Sequence, residues 1–194
     1  MIVVPYYNKP TQEGLVAHFC AAAAAVKCPV IVYNVPARTG IDLSADALVQ
    51  ICAKAKNVLA CKEATANVLR GQELARRLGD RLTILCGDDA LTLPMISVGA
   101  QGVISVTSNL LPAEVTEATR AALDEKYDLA RKLHFALLPV HEAMFVEANP
   151  GPVKWALASQ NKMKNVVRGP LVAIGEASAK KVAAVLETYH RSRK

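Results

Sequence analysis

At 194 residues, 52 % hydrophobic and 21 % charged, the chain can bury a sizeable core and has the composition of an ordinary globular protein. No apolar run reaches about 18 residues, which excludes a membrane-spanning helix, and "MIVVPYYNKP" lacks the layout of a signal peptide, so a cytoplasmic protein is expected. The net charge of +6 gathers in the tail, where nine Lys/Arg from Gly151 onward face Glu176 and Glu187 with only Trp155 and Tyr189 as aromatics; that predicts a solvated basic surface and no nucleic-acid site.

The first two thirds of the chain alternate between apolar runs and helical stretches. "MIVVP" is a β-branched run, and "TQEGLVAHFCAAAAAVK" follows with Thr11 as its N-cap. "PVIVYNVP" is the second strand, and "SADALVQICAKAK" is a helix opened by Ser44. "NVLACKEA" is the third strand, followed by a helix over "NVLRGQELARRLG" that Gly79 closes. "RLTILCGDD" is the fourth, followed by a short helix, "ALTLPMISVG", that tolerates Pro94 near its start. "QGVISVTSN" reads as a fifth strand, and Pro112 opens the helix "PAEVTEATRAALDE". Beyond it the pattern is helical only. Pro150 and Pro152 break it, and a last amphipathic helix spans residues 178 to 190 with Ser178 as its candidate cap.

Strands continuous in Val, Ile and Leu, each followed by a helix, predict a parallel sheet. Their ends fall near Tyr7, Tyr33, Lys62, Gly87 and Thr107, at intervals of 26, 29, 25 and 20 residues. An open doubly wound sheet would want a Gly-rich turn after its first strand, and none is present. A barrel of the (β/α)8 type places chemical residues at the C-terminal ends of several strands, as here. The expected fold is therefore α/β, a TIM-type barrel that is N-terminally incomplete. Five strands are visible over residues 1–125, where a closed barrel uses eight in about 250 residues, and a C-terminal helical region covers 126–194.

Lys62, at the end of an apolar strand, suits Schiff-base chemistry. An amine attacks a carbonyl only when unprotonated, and burial lowers the ordinary lysine pKa of about 10.4. The same position also suits a lysine whose head snorkels to solvent. Glu63 is less informative, because it could simply open the next loop. Tyr33 offers a phenol for proton transfer, or a ring packed in the barrel. Arg38 is placed to clamp a carboxylate, or to sit on the surface. Tyr6 and Tyr7 occupy the matching end of the first strand. Gly87 lets backbone approach a ligand, while Asp88 and Asp89 are read as caps of the following helix. Neither the two aspartates nor the four histidines have metal-ligand spacing, so no metal is expected. The five cysteines lack a CxxC pair and are expected to be reduced core residues.

Taken together, "PYYNKPTQEGL", "VIVYNVPARTG", "CKEAT", "GDDALTLPMISVGAQGVISVTSN" and "NPGPVKWAL" resemble the dihydrodipicolinate synthase family, in order and along nearly the whole chain. The resemblance implies a lyase of the class I aldolase type that condenses pyruvate with L-aspartate 4-semialdehyde, toward lysine and diaminopimelate, without a cofactor. It implies that Lys62 forms the imine with pyruvate, that Tyr33 is the phenol beside it, and that Tyr7 is offered across a subunit interface. Arg38 would hold the aldehyde's carboxylate, and Gly87 and Ile104 would line the pocket, Ile104 through its main-chain carbonyl. Tyr6 matches a position of the family's lysine feedback site. A homotetramer built as a dimer of dimers is expected.

The resemblance covers the last two thirds of the family's length. The first three βα units, with a Gly-Thr-Thr-Gly-Glu segment that binds pyruvate and links the tyrosines, have no counterpart here. Two alternatives stand beside this reading. One is a related pyruvate aldolase, of the N-acetylneuraminate lyase or 2-keto-3-deoxy sugar acid aldolase type. The other is an inactive chain that acts only by association, since an open sheet leaves unpaired edges.

Overall fold

The computed structural model describes residues 1–192, in two compact units that divide after Ile104. The first unit holds a four-stranded parallel sheet in the order β1 (Ile2–Val3), β2 (Val30–Asn34), β3 (Val58–Glu63) and β4 (Thr83–Cys86). Its helices are α1 (Gln12–Ala24), a single turn α2 (Pro36–Thr39), α3 (Ala45–Lys54), α4 (Val68–Leu78) and α5 (Thr92–Ser97).

Helix starts follow local chemistry. Thr11 accepts from Gly14 N–H at 3.2 Å and Ser44 from Ala47 N–H at 3.1 Å, each satisfying a first-turn donor that the helix leaves open. Asn67 does the same for Arg70 N–H. The turn α2, not anticipated from the sequence, ends at Gly40, whose φ of 71° is left-handed.

Alternation along the strands separates two faces. Val32, Cys61 and Ile84 stand side by side on β2, β3 and β4 and are fully buried, as are Leu15 and Phe19 of α1, Leu48 and Ile51 of α3 and Leu74 of α4. The opposite set, Tyr33, Lys62 and Leu85, is only half-buried. The helices thus cover one face and leave the other partly open.

The fifth strand expected over "QGVISVTSN" is a correction. Val103 makes one parallel bridge to Cys86, framed by Cys86 N–H to Gly102 O and Ile104 N–H to Cys86 O, both 2.8 Å, and Thr107–Asn109 is a 3-10 turn. Gln101 N–H also donates to Ile84 O at 2.8 Å, but Gly102 has a φ of 152°, which is not strand backbone, so the ladder is confined to one bridge. The cysteine expectation also changes in part. All five are free and Cys52, Cys61 and Cys86 are buried, but Cys20 is half-buried and Cys28 exposed.

Arg81 ties α3 to the sheet. Its guanidinium donates to the carbonyls of Val58 (2.8 Å), Cys52 (2.5 Å) and Ala55 (3.1 Å), closing the C-terminus of α3 with a cation. Arg81→Ala is expected to destabilise the chain by roughly 1–3 kcal/mol, read as a lower urea midpoint. An unchanged midpoint would refute this.

The second unit is helical: α6 (Pro112–Leu123), α7 (Tyr127–Ala143), α8 (Gly151–Ser159) and α9 (Glu176–Ser192). Pro112 and Pro152 lie in first turns, where a missing N–H is harmless. Its core includes Leu137, Val140, Met144, Ala156 and Val182, and buried His141 Nδ1 lies 2.9 Å from Thr107 Oγ1. The last helix starts two residues before the expected Ser178. Glu147 accepts from Gly175 N–H at 2.9 Å, and the Ser178 hydroxyl bonds the same carboxylate, which holds its pKa below the usual range.

Candidate active site

Lys62 sits on β3 directly beside Tyr33 of β2, and its Nζ lies over the phenol ring, 4.3 Å from the centroid. The parallel register makes this pair. Both residues point to the open face, at strand ends one residue short of the loops.

Burial is the first cause that pushes the Lys62 pKa below its ordinary value. Arg38 pushes in the same direction, and the Asp89 carboxylate opposes it. Cys86 contributes no charge at neutral pH, because burial pushes its thiol up to about 12. Tyr33 is raised, again by burial first, with the Arg38 cation working against it. Near neutral pH the pair therefore consists of a phenol that keeps its proton and an amine that gives its proton up more readily than an exposed lysine. That combination suits attack on a carbonyl followed by proton donation to the oxygen.

The wall behind the amine is Gly87. A Cβ there would stand 2.5 Å from the Ala64 Cβ, 3.1 Å from Glu63 O and 3.1 Å from Lys62 Cε, so only glycine fits. Gly87 N–H donates to Glu63 O at 2.7 Å, which holds the loop after β4 against the end of β3. Ile104 is fastened next to it through its bond to Cys86 O.

Arg38 is exposed at the end of α2, and its charge acts on both Lys62 and Tyr33. Tyr6 and Tyr7 are not brought onto the lysine. They are 68 % and 89 % exposed, and Tyr7 has a left-handed φ of 66°, a conformation that costs an L-residue about 1–2 kcal/mol. Asp88 caps as expected, accepting from Ala90 N–H at 3.0 Å. Asp89 does not fit the cap reading, because it is buried and its charge reaches Lys62.

Glu63 is the residue whose importance the sequence understates. Its side chain is 1 % exposed and ion-paired to Arg70, itself 9 % exposed, at 2.9 Å. The available signal was alternation: one step after Lys62, Glu63 must face the helices, where a carboxylate needs a partner. Among the described residues no group of three or more His, Cys, Asp or Glu could hold a metal ion, and no helix is long and apolar enough to cross a membrane.

The Dihydrodipicolinate synthetase family matches this chain over residues 1–189. The 4-hydroxy-tetrahydrodipicolinate synthase of Sorangium cellulosum is 54 % identical over 193 residues, covering 100 % of this chain and 64 % of that protein. The crystal structure of dihydrodipicolinate synthase from Aquifex aeolicus superposes with a TM-score of 0.95 at 42 % identity, over 97 % of this chain and 64 % of that one. The chloride-inhibited enzyme from Acinetobacter baumannii, solved in complex with pyruvate, superposes at 0.94 with 38 % identity, again over 97 % and 64 %. The chain thus spans just under two thirds of the length of these relatives.

Proposed function

We propose, from the premise that the chain belongs to the dihydrodipicolinate synthetase family, that Lys62 takes up pyruvate as an imine and delivers it to L-aspartate 4-semialdehyde, giving 4-hydroxy-tetrahydrodipicolinate. The observation that carries this reading is the half-buried Lys62 amine, lowered in pKa and 4.3 Å from the Tyr33 ring. The free amine attacks the keto carbon, and Tyr33 supplies a proton to the oxygen that leaves as water. Loss of a methyl proton from the imine gives an enamine, which bonds to the aldehyde carbon. The substrate's own amino group then displaces Lys62 as the ring closes. Arg38 meets the aldehyde's carboxylate, and Gly87 and Ile104 shape the pocket. No metal or organic cofactor takes part in these steps.

In this reading the four parallel strands are part of a (β/α)8 barrel and the protein works in the cytoplasm. Tyr7 serves a neighbouring subunit of a homotetramer and Tyr6 lies in a lysine-sensing region. The exposure of both tyrosines supports an interface role. One solved relative, 34 % identical, is described as a monomeric variant, so the assembly is to be measured by sedimentation.

The test is borohydride reduction in the presence of pyruvate, followed by mass spectrometry. An adduct on the peptide carrying Lys62 is expected, and its absence in a folded sample would overturn the reading. Coupled assays with aspartate semialdehyde and with sugar aldehydes then identify the acceptor. The pH dependence has a definite sign. Because the folded pKa of Lys62 is depressed, trapping persists to lower pH than for an exposed lysine and is lost as pH falls through the folded value. Between the folded and the higher unfolded pKa the unfolded chain binds more protons, so this group's contribution to stability rises with pH across that window.

A further inference from the structure

Behind Tyr33 and Lys62, on the helix-covered face, stand Asn34 and Glu63, adjacent in register and both buried. A sheet face packed on helices is normally apolar, so two polar neighbours there call for an explanation. Asn34 Nδ2 donates to Asp42 Oδ1 at 2.7 Å, and its Oδ1 accepts from Leu43 N–H at 3.2 Å. Glu63 accepts from Arg70 Nε at 2.9 Å and from Thr65 N–H at 3.0 Å. The other end of the Arg70 guanidinium donates to Leu43 O. Leu43 is therefore held by its N–H to Asn34 of β2 and by its C=O to Arg70 of α4, which is itself paired with Glu63 of β3, and its own side chain is fully buried. The segment so fixed, residues 35–43, is the one that carries Arg38, and Thr39 Oγ1 braces it by donating to Ile41 O at 2.8 Å.

The same residues shape the amine's surroundings. Glu63 O accepts from Gly87 N–H, and Asn34 O accepts from Ala64 N–H at 2.9 Å. Stability alone is a poor reason for a buried ion pair, since an apolar pair of similar volume often serves as well.

We propose that Asn34 and the Glu63–Arg70 pair are positioning residues. Clamped on Leu43, they hold the ends of β2 and β3 and the Arg38 segment so that Lys62 stays withdrawn from water beside Tyr33 and Gly87. The role rests on the reading of Lys62 as the imine-forming amine.

Competitive acetylation of the lysines with acetic anhydride across pH, read by mass spectrometry, measures the Lys62 titration directly. The informative variant is the double Glu63→Gln/Arg70→Met, which leaves neither buried charge unpaired and releases Leu43 O. In the folded double variant the Lys62 midpoint is expected to rise by about one pH unit, a tenfold loss of free amine at a given pH below it. Exposed Lys54 in the same sample should not move. A folded double variant with an unchanged Lys62 midpoint would overturn the proposal, and so would one that fails to fold, because the pair would then serve the fold as a whole. Acetylation needs no keto acid. Failure to trap pyruvate in the unsubstituted chain would sink the imine reading and leave this measurement readable.

Discussion

Lys62→Met is expected to abolish borohydride trapping of pyruvate and to lower any condensation activity by a factor on the order of 10³ or more, since no other group supplies the covalent step. Methionine fills a similar volume and removes an amine that burial already disfavours in its charged form, so folding should be retained. Thermal unfolding at the same midpoint or higher, together with loss of the adduct, is the expected pair of results. A Lys62→Met variant that still traps pyruvate at the original rate would move the chemistry to another lysine.

Gly87→Ala should carry the next largest effect. The added methyl meets the Ala64 Cβ at 2.5 Å and the Glu63 carbonyl at 3.1 Å, and neither is the loose end of a flexible side chain. Relief requires opening the bond from Gly87 N–H to Glu63 O or shifting the end of β3, and overpacking of this kind costs about 1–3 kcal/mol. Lys62 Cε, 3.1 Å from the same methyl, is displaced in either case. A lower melting temperature and a reduced rate of imine trapping should appear together. A variant that melts lower but traps pyruvate at full rate would show that Gly87 matters to packing and leaves the amine alone.

Much of the chain was readable residue by residue. Thr11 and Ser44 open helices because each hydroxyl accepts from an N–H three residues on, and Pro112 because it lacks an N–H that the first turn would leave unpaired, so no distant partner is needed. The apolar runs of β2, β3 and β4, and the lysine ending one of them, are equally local, which is why a parallel sheet with Lys62 at a strand end was expected correctly. The tertiary structure alone decided what depends on register and on contacts between segments far apart in the chain. "QGVISVTSN" has strand composition, yet pairs at a single bridge, because the chain turns at Gly102, whose φ is 152°, and the register against the free edge of β4 is lost there. Glu63 and Asp89 looked like loop and cap residues. Burial makes the first half of an ion pair with Arg70 and the second a counter-charge to Lys62. Tyr33 and Lys62, 29 residues apart, become one site only through the pairing of β2 with β3. A side chain's pKa and its partners follow from what water cannot reach, and the sequence determined which groups were available while the packing determined which of them are kept dry together.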